Sequence, residues 1–363
     1  MNFFPVFNSR RLRLGFFVTL AGFITTIVLM CSPVSSQIPT RDKFLWPFSS
    51  TSIWNMPIGS GARYIPANIQ AARTLGVDQE YFYRVNPTDP LRPVYTPGSW
   101  TNRCSGTQSM NTSLFVPDNL IVPDATTNPY NTPNNASAFL LPDGRTLVQL
   151  EPLARCQPGG PIYGWRYFPN VDIYGQGIGG AHFGSGLSSI GGSIRKGELI
   201  GNKPIRHALK ILLWGKNYLY YSNSVRGYRW PADRADSQAA TTYHGTNPSL
   251  VQGTLLAIPP TVTVTSLNLQ TPGAKKLFYA LQNYGAYVVD DAGWDAHYLA
   301  AEKGVANEFS ATYGYRLSGQ QGQFYEEFMR LAQALKIVDN NAPDSVGGGG
   351  NQRRAPLAPP IGN

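Results

Sequence analysis

Apolar and polar residues alternate at several places along the chain, and a period of two predicts strands. In Arg145–Pro152, Leu147, Gln149 and Glu151 fall on one side, and Val148 and Leu150 on the other. Asn170–Gly175 alternates too, with Val171 and Ile173 opposite Asp172 and Tyr174. Ile205–Gly215 followed by Asn217–Asn223 predicts a hairpin turning about Gly215–Asn217. Gly253–Pro260 and Thr261–Thr271 add two more extended segments.

The period changes to 3.6 in three places. Leu277, Ala280, Leu281 and Tyr284 form one stripe, with Pro272 near its start and Gly285 at its end. Phe324, Phe328, Leu331 and Leu335 form a second, and Ala296–Phe309 is a third helical candidate. Helices are the minority. The expected fold is therefore mainly β, a single β-sandwich or jelly-roll-like domain with a few peripheral α-helices.

Composition agrees with that. Thirty-seven glycines, 29 prolines, 12% aromatic and only 14% charged residues favour short strands joined by turns. Residues 1–36 read as an export signal: Arg10, Arg11 and Arg13, then an uncharged apolar stretch from Leu14 to Met30, then Val34 and Ser36 before a cut. Uncleaved, the apolar stretch would anchor the chain in a membrane. Residues 37–340 carry the folded domain, and the Gly/Pro-rich segment 341–363 reads as a flexible tail. The net charge is +9, and three of those charges lie in the leader. An exported basic protein points to a polysaccharide or cell-wall glycan, anionic if the charge reflects the partner, and not to nucleic acid. Cys104 and Cys156 remain after cleavage and are the expected disulfide of an exported chain.

Nine glycines lie between Gly175 and Gly197. Gly175, Gly177 and Gly180 satisfy G-x-G-x-x-G after an apparent strand, but residues 181–197 are too glycine-rich for the helix a dinucleotide site needs. Two readings stand: close backbone packing, or a substrate-lined loop carrying His182, Ser185 and Glu198.

Neither G-x-S-x-G nor H-E-x-x-H occurs. Polar residues inside apolar, strand-like segments are more informative, because burying them unpaired costs several kcal/mol. They are expected to meet along one wet trough. The catalytic candidates are His182, His207, Glu151, Asp172 and Asp233, with Glu198 and Asp236 as further acids. The substrate-binding candidates are Gln149, Tyr174, Arg206, Lys210, Tyr228, Arg229 and Trp230. Carboxyl pairs suit glycoside hydrolysis; a histidine or tyrosine base with a cation suits uronic-acid elimination. No spacing assigns a metal site. Calcium on Asp290, Asp291, Asp295 and His297 would need backbone oxygens as well, and a helix cap at Asp291 or Asp295 is the simpler role.

Leu45–Gly59, Gly184–Leu199, Ile205–Lys210 and Gly227–Asp236 together resemble a group of exported bacterial proteins. The resemblance implies export and carries over no catalytic residue. The expected function is an exported polysaccharide lyase or glycoside hydrolase acting on a cell-wall or extracellular glycan. The alternative is a non-catalytic glycan-binding or envelope structural protein.

Overall fold

The computed structural model describes residues 40–125 and 133–362; the export-signal segment lies outside them. The strands are β1 (Tyr64–Pro66), β2 (Thr74–Arg84), β3 (Leu91–Tyr95), β4 (Ser109–Phe115), β5 (Ser137–Leu140), β6 (Thr146–Glu151), β7 (Ile162–Tyr163), β8 (Arg166–Asp172), β9 (Leu209–Trp214), β10 (Leu255–Ala257), β11 (Ala286–Ala292), β12 (Ala296–Glu302) and β13 (Lys336–Val338). The helices are α1 (Gly215–Tyr218), α2 (Ala239–Thr242), α3 (Pro272–Asn283), α4 (Val305–Tyr313) and α5 (Gln323–Ala334). Among the described residues the protein is mainly β, with two sheets and few helices, as the sequence predicts. No helix among the described residues is long and apolar enough to cross a membrane.

Ten strands form one mixed sheet in the order β1-β13-β10-β11-β9-β12-β2-β5-β6-β8, and β4-β3-β7 form a smaller one. On one face of the large sheet, Leu209, Ile211, Leu213 and Val288 pack under Leu277 and Phe278 of α3, Phe309 of α4 and Phe328 of α5. Thr271 caps α3 by accepting from the Ala274 amide, and Pro272 opens it. On the other face, Leu212, Val289, Phe82 and Leu147 pack against Phe48, Trp54, Leu187 and Ile190, which lie in irregular chain. A third core sits between β5–β6 and the small sheet, where Phe139, Val148 and Leu150 meet Val94, Leu114 and Ile162. β6 therefore buries both of its faces, which is why its alternation carries so little polarity.

Cys104 and Cys156 form a disulfide, as expected, and tie together positions 52 residues apart. Constraining a loop of that length in the unfolded chain contributes about 2–4 kcal/mol.

Four expectations are corrected. Gly215–Asn217 does not turn a hairpin: it begins a single helical turn, and β9 instead pairs with β11 in parallel and with β12 antiparallel. Thr261–Thr271 is not extended, since Thr263 and Ser266 exchange side-chain-to-amide hydrogen bonds that fold it into turns. Ala296–Phe309 is a strand followed by a helix. Residues 341–362 do not form a free tail. Gly59 and Gly61 donate backbone hydrogen bonds to Gly347 and Gly349 at 2.9 and 3.1 Å, and the Arg353 guanidinium donates to the Pro57 carbonyl at 3.1 Å. Gly348 lies in the left-handed region, and a Cβ there would stand 2.5 Å from Ala62 Cα. Glycine is required at this contact because the two backbones touch.

Candidate active site

Strand register builds the floor of a large cleft. Asp290 on β11 pairs with Leu212 on β9, Leu212 with Tyr298 on β12, and Tyr298 with Gly76 on β2. A Cβ on Gly76 would lie 2.1 Å from the Tyr298 ring, so the missing side chain is what lets that ring lie down over β2. Asp78 and Glu80 follow Gly76 at intervals of two and share its face. On β11, Val288 faces the helix-covered core and Val289 the opposite one. Regular alternation would send Asp290 under the helices. A register shift between Val288 and Asp290 re-aims Asp290 onto the cleft face.

The cleft encloses about 1250 Å³. Asp78, Glu151, Asp236, Asp290 and Asp291 all line it, and so do Trp100, Trp165, Phe183, Trp294 and Tyr298. Trp100 and Trp165 stack at 5.6 Å between centroids, with Phe183 edge-on to Trp165 at 6.3 Å; Trp294 stands edge-on to Tyr298 at 5.9 Å. Trp100 comes from the turn before residue 103, Trp165 immediately precedes β8 and Phe183 lies in the glycine-rich segment; Trp294 comes from the β11–β12 turn and Tyr298 from β12.

The carboxyls are tied to one another. Asn134 donates to Asp78 at 3.3 Å and to Asp290 at 3.1 Å. Tyr243 donates a short hydrogen bond to Asp236, and Gln252 donates to the Tyr243 hydroxyl at 2.9 Å. Oxygens of Asp236, Asp290 and Asp291 lie within 4.8 Å of one another. Burial, then the charge of Glu80, pushes Asp78 up to about 7, against the pull of Lys210. Burial and Asp236 push Asp291 up to about 7. Asp290 is raised well above the usual carboxylate range by burial and by Asp236, Glu151 and Asp291; Glu151 is raised well above it by burial, Asp78 and Glu80. Ionising one of these acids opposes ionising its neighbours.

Beneath the floor lies a buried ion pair, with Lys210 Nζ 2.5 Å from Glu80 Oε1. Lys210 also donates to the Ser189 carbonyl at 2.7 Å, and Ser193 donates to Glu80. Burial pushes the Glu80 carboxyl up, but Lys210 and His182 outweigh it and hold it low. His182 is fully buried, its Nε2 2.9 Å from Glu80 and its Nδ1 3.4 Å from Glu151. Burial, then the Lys210 charge, lower its pKa and favour the neutral ring, against the pull of Glu80.

Of the residues expected to share a trough, Glu151 and Asp236 line the cleft, with His182 and Lys210 directly below Glu151. The others have local partners. Asp172 pairs with Arg145 at 2.7 Å, and Asp233 with Arg234 at 2.6 Å. Gln149 is buried and accepts from the Ser189 amide at 2.5 Å. Tyr174 accepts from Lys43, Arg206 covers the Trp46 ring, and Arg229 donates to the Asp339 carbonyl. Tyr228 is at the surface, its backbone bridged to Gln252, and Trp230 packs against the core around Trp54. Neither Asp291 nor Asp295 caps a helix: Asp291 lies within β11, and Asp295 accepts from the Arg73 amide. The glycine-rich segment packs its backbone closely at several glycines, while its Phe183 lines the cleft. Gly191 and Gly192 lie against the Trp54 ring, and Gly184 against Asp290.

His207 is also elsewhere, with Nε2 3.1 Å from Glu198. Burial lowers its pKa, but the Glu198 charge outweighs burial and raises it above 6.5. Burial likewise opposes ionisation of Glu198, yet His207 holds it below 4.5. The His207 contribution is complete below pH 6.5 and fades as pH rises through its folded value. The Glu198 contribution is complete above pH 4.5 and fades as pH falls through its folded value. The pair therefore stabilises most between those limits. Chemical denaturation across pH 4–9 is expected to show this hump in the wild type and to lose it in Glu198→Gln; an unchanged profile in the variant would exclude the pair as its source.

No family model, curated protein or solved structure matches the chain.

Proposed function

We propose that this is an exported carbohydrate-active enzyme that hydrolyses a cell-wall or extracellular glycan in the cleft. One observation carries the reading: stacked indoles and a floor of crowded carboxyls face the same groove. Indole and phenol faces match the apolar C–H faces of sugar rings. Carboxyls whose ionisation is shared among neighbours suit the donation and uptake of protons at a glycosidic oxygen. Elimination is less well supported, because His207 lies outside the cleft and Arg166 is held by the Gly180 carbonyl at 2.8 Å. The acidic floor favours a neutral glycan over the anionic one that the net charge suggests. A non-catalytic glycan-binding protein would share the aromatic walls but has no use for so many carboxyls at one point.

The test is a panel of neutral and acidic glycans, followed for new reducing ends and for unsaturated-uronate absorbance. Reducing ends without absorbance are expected. Asp291→Asn should lower turnover by on the order of 10²-fold or more while glycan binding survives. Trp165→Ala should weaken binding roughly 3–10-fold, the worth of one aromatic contact. Absorbance at the uronate band would establish a lyase instead, and binding without any product would establish the lectin.

A further inference from the structure

We propose that Glu151, His182 and Asp290 form a divalent metal centre on the cleft floor. One donor atom from each of these three buried side chains lies within 4.8 Å of the other two, the spacing of ligands around a single ion held at about 2.0–2.2 Å. Two of the three residues have donor atoms to spare. His182 Nδ1, Glu151 Oε1 and Glu151 Oε2 are all buried and have no side-chain hydrogen-bond partner among the described residues, although the Phe183 amide approaches the Glu151 carboxyl; Asp290 accepts from Asn134 and from the Asp291 amide. Orphaned polar atoms are rare in folded proteins, and three converging on one point call for a ligand.

The far side of the histidine is arranged for the same purpose. Nε2 lies 2.9 Å from Glu80 Oε1. Lys210 also stands 3.0 Å from Nε2, but its protons have acceptors in Glu80 and in the Ser189 and Ser188 carbonyls. Nε2–H can thus donate to Glu80, which leaves the Nδ1 lone pair facing a Glu151 oxygen 3.4 Å away. Two acceptors that face each other need a proton or a metal ion between them. A carboxylate behind a ligating imidazole, fixing its tautomer, is the usual second layer of such a centre.

One nitrogen and two carboxylates suit zinc or manganese. Calcium prefers six to eight oxygens. Glu151 and Asp290 also line the cleft, so the ion would have an open side toward a substrate or water. Asp236 and Asp291 would then remain for proton transfer. Metal binding here does not depend on the glycan reading, and the two can fail separately.

The test uses the full chain, stripped with chelator and titrated separately with Zn²⁺, Mn²⁺ and Ca²⁺ by calorimetry and thermal melting. One equivalent of Zn²⁺ or Mn²⁺ is expected to bind and to raise the melting temperature by several degrees, with Ca²⁺ much weaker. Glu80→Gln should weaken binding by about 10–100-fold, and His182→Gln by at least as much. Should His182→Gln fail to fold, Co²⁺ added to the wild type reports directly: visible d–d bands of a low-symmetry nitrogen–oxygen site are expected, displaced by Zn²⁺. No binding of any of these ions to the folded protein would overturn the proposal. So would calcium-selective binding that survives His182→Gln but is lost in Asp236→Asn, because the acids alone would then hold the ion.

Discussion

Lys210→Met is expected to destabilise the protein by about 3–5 kcal/mol, the usual cost of removing one partner from a buried ion pair. The side chain is fully buried, and so is its partner Glu80. With the ammonium gone, Glu80 keeps Ser193 and His182 but loses the charge that holds its carboxyl ionised. It would also stand beside Asp78 and Glu151, whose ionisation it already opposes. The Ser188 and Ser189 carbonyls would lose their shared donor, loosening the loop after His182. Adding Glu80→Gln to Lys210→Met should recover a large part of the loss, because the double variant buries no uncompensated charge. Urea denaturation of the two single variants and the double variant measures this. A single-variant loss below about 1 kcal/mol, or strict additivity in the double variant, would refute the role given to the pair.

That same pair shows where sequence reading stops. Lys210 is legible as a polar residue in an apolar strand, and it does meet a buried partner. The partner, Glu80, lies 130 residues away on β2, and no local spacing points to it. Elements with local signatures are legible: α3 with its proline and cap, the α5 stripe, β6, β10 and the disulfide. The cleft acids are harder. Asp290 and Asp291 end an apolar run, Ala286–Ala292, and a paired acid at the end of a buried strand is the available signal. Their face, however, depends on a register shift that only the pairing with β9 reveals. Asp78 and Glu80 alternate within Thr74–Arg84, a strand that the hydrophobic pattern alone leaves unmarked. Composition misleads at the C-terminal end, where glycines that look like disorder are used for close backbone contact with residues 57–62.

The glycine-rich segment is built around one indole. Trp54 is 1% exposed, donates from Nε1 to the Gly177 carbonyl at 2.8 Å, and meets Tyr287 edge-on at 5.4 Å. Gly191 and Gly192 press on its ring so closely that a Cβ on either would come within 2.4 Å of it. Trp54→Ala should therefore cost about 3–5 kcal/mol, the loss for emptying a large buried aromatic site. Gly191→Ala should also destabilise, by about 1–3 kcal/mol, because the methyl drives into a ring with nowhere to go. Combined, the two should be markedly less than additive, since the space vacated by the indole accepts the methyl. Thermal and urea unfolding of the three variants tests this. Full additivity would mean that the ring does not set the glycine requirement. If it does, the glycines serve the indole, and the segment's freedom from side chains is what lets one loop carry His182 down to Glu80 and up to Glu151.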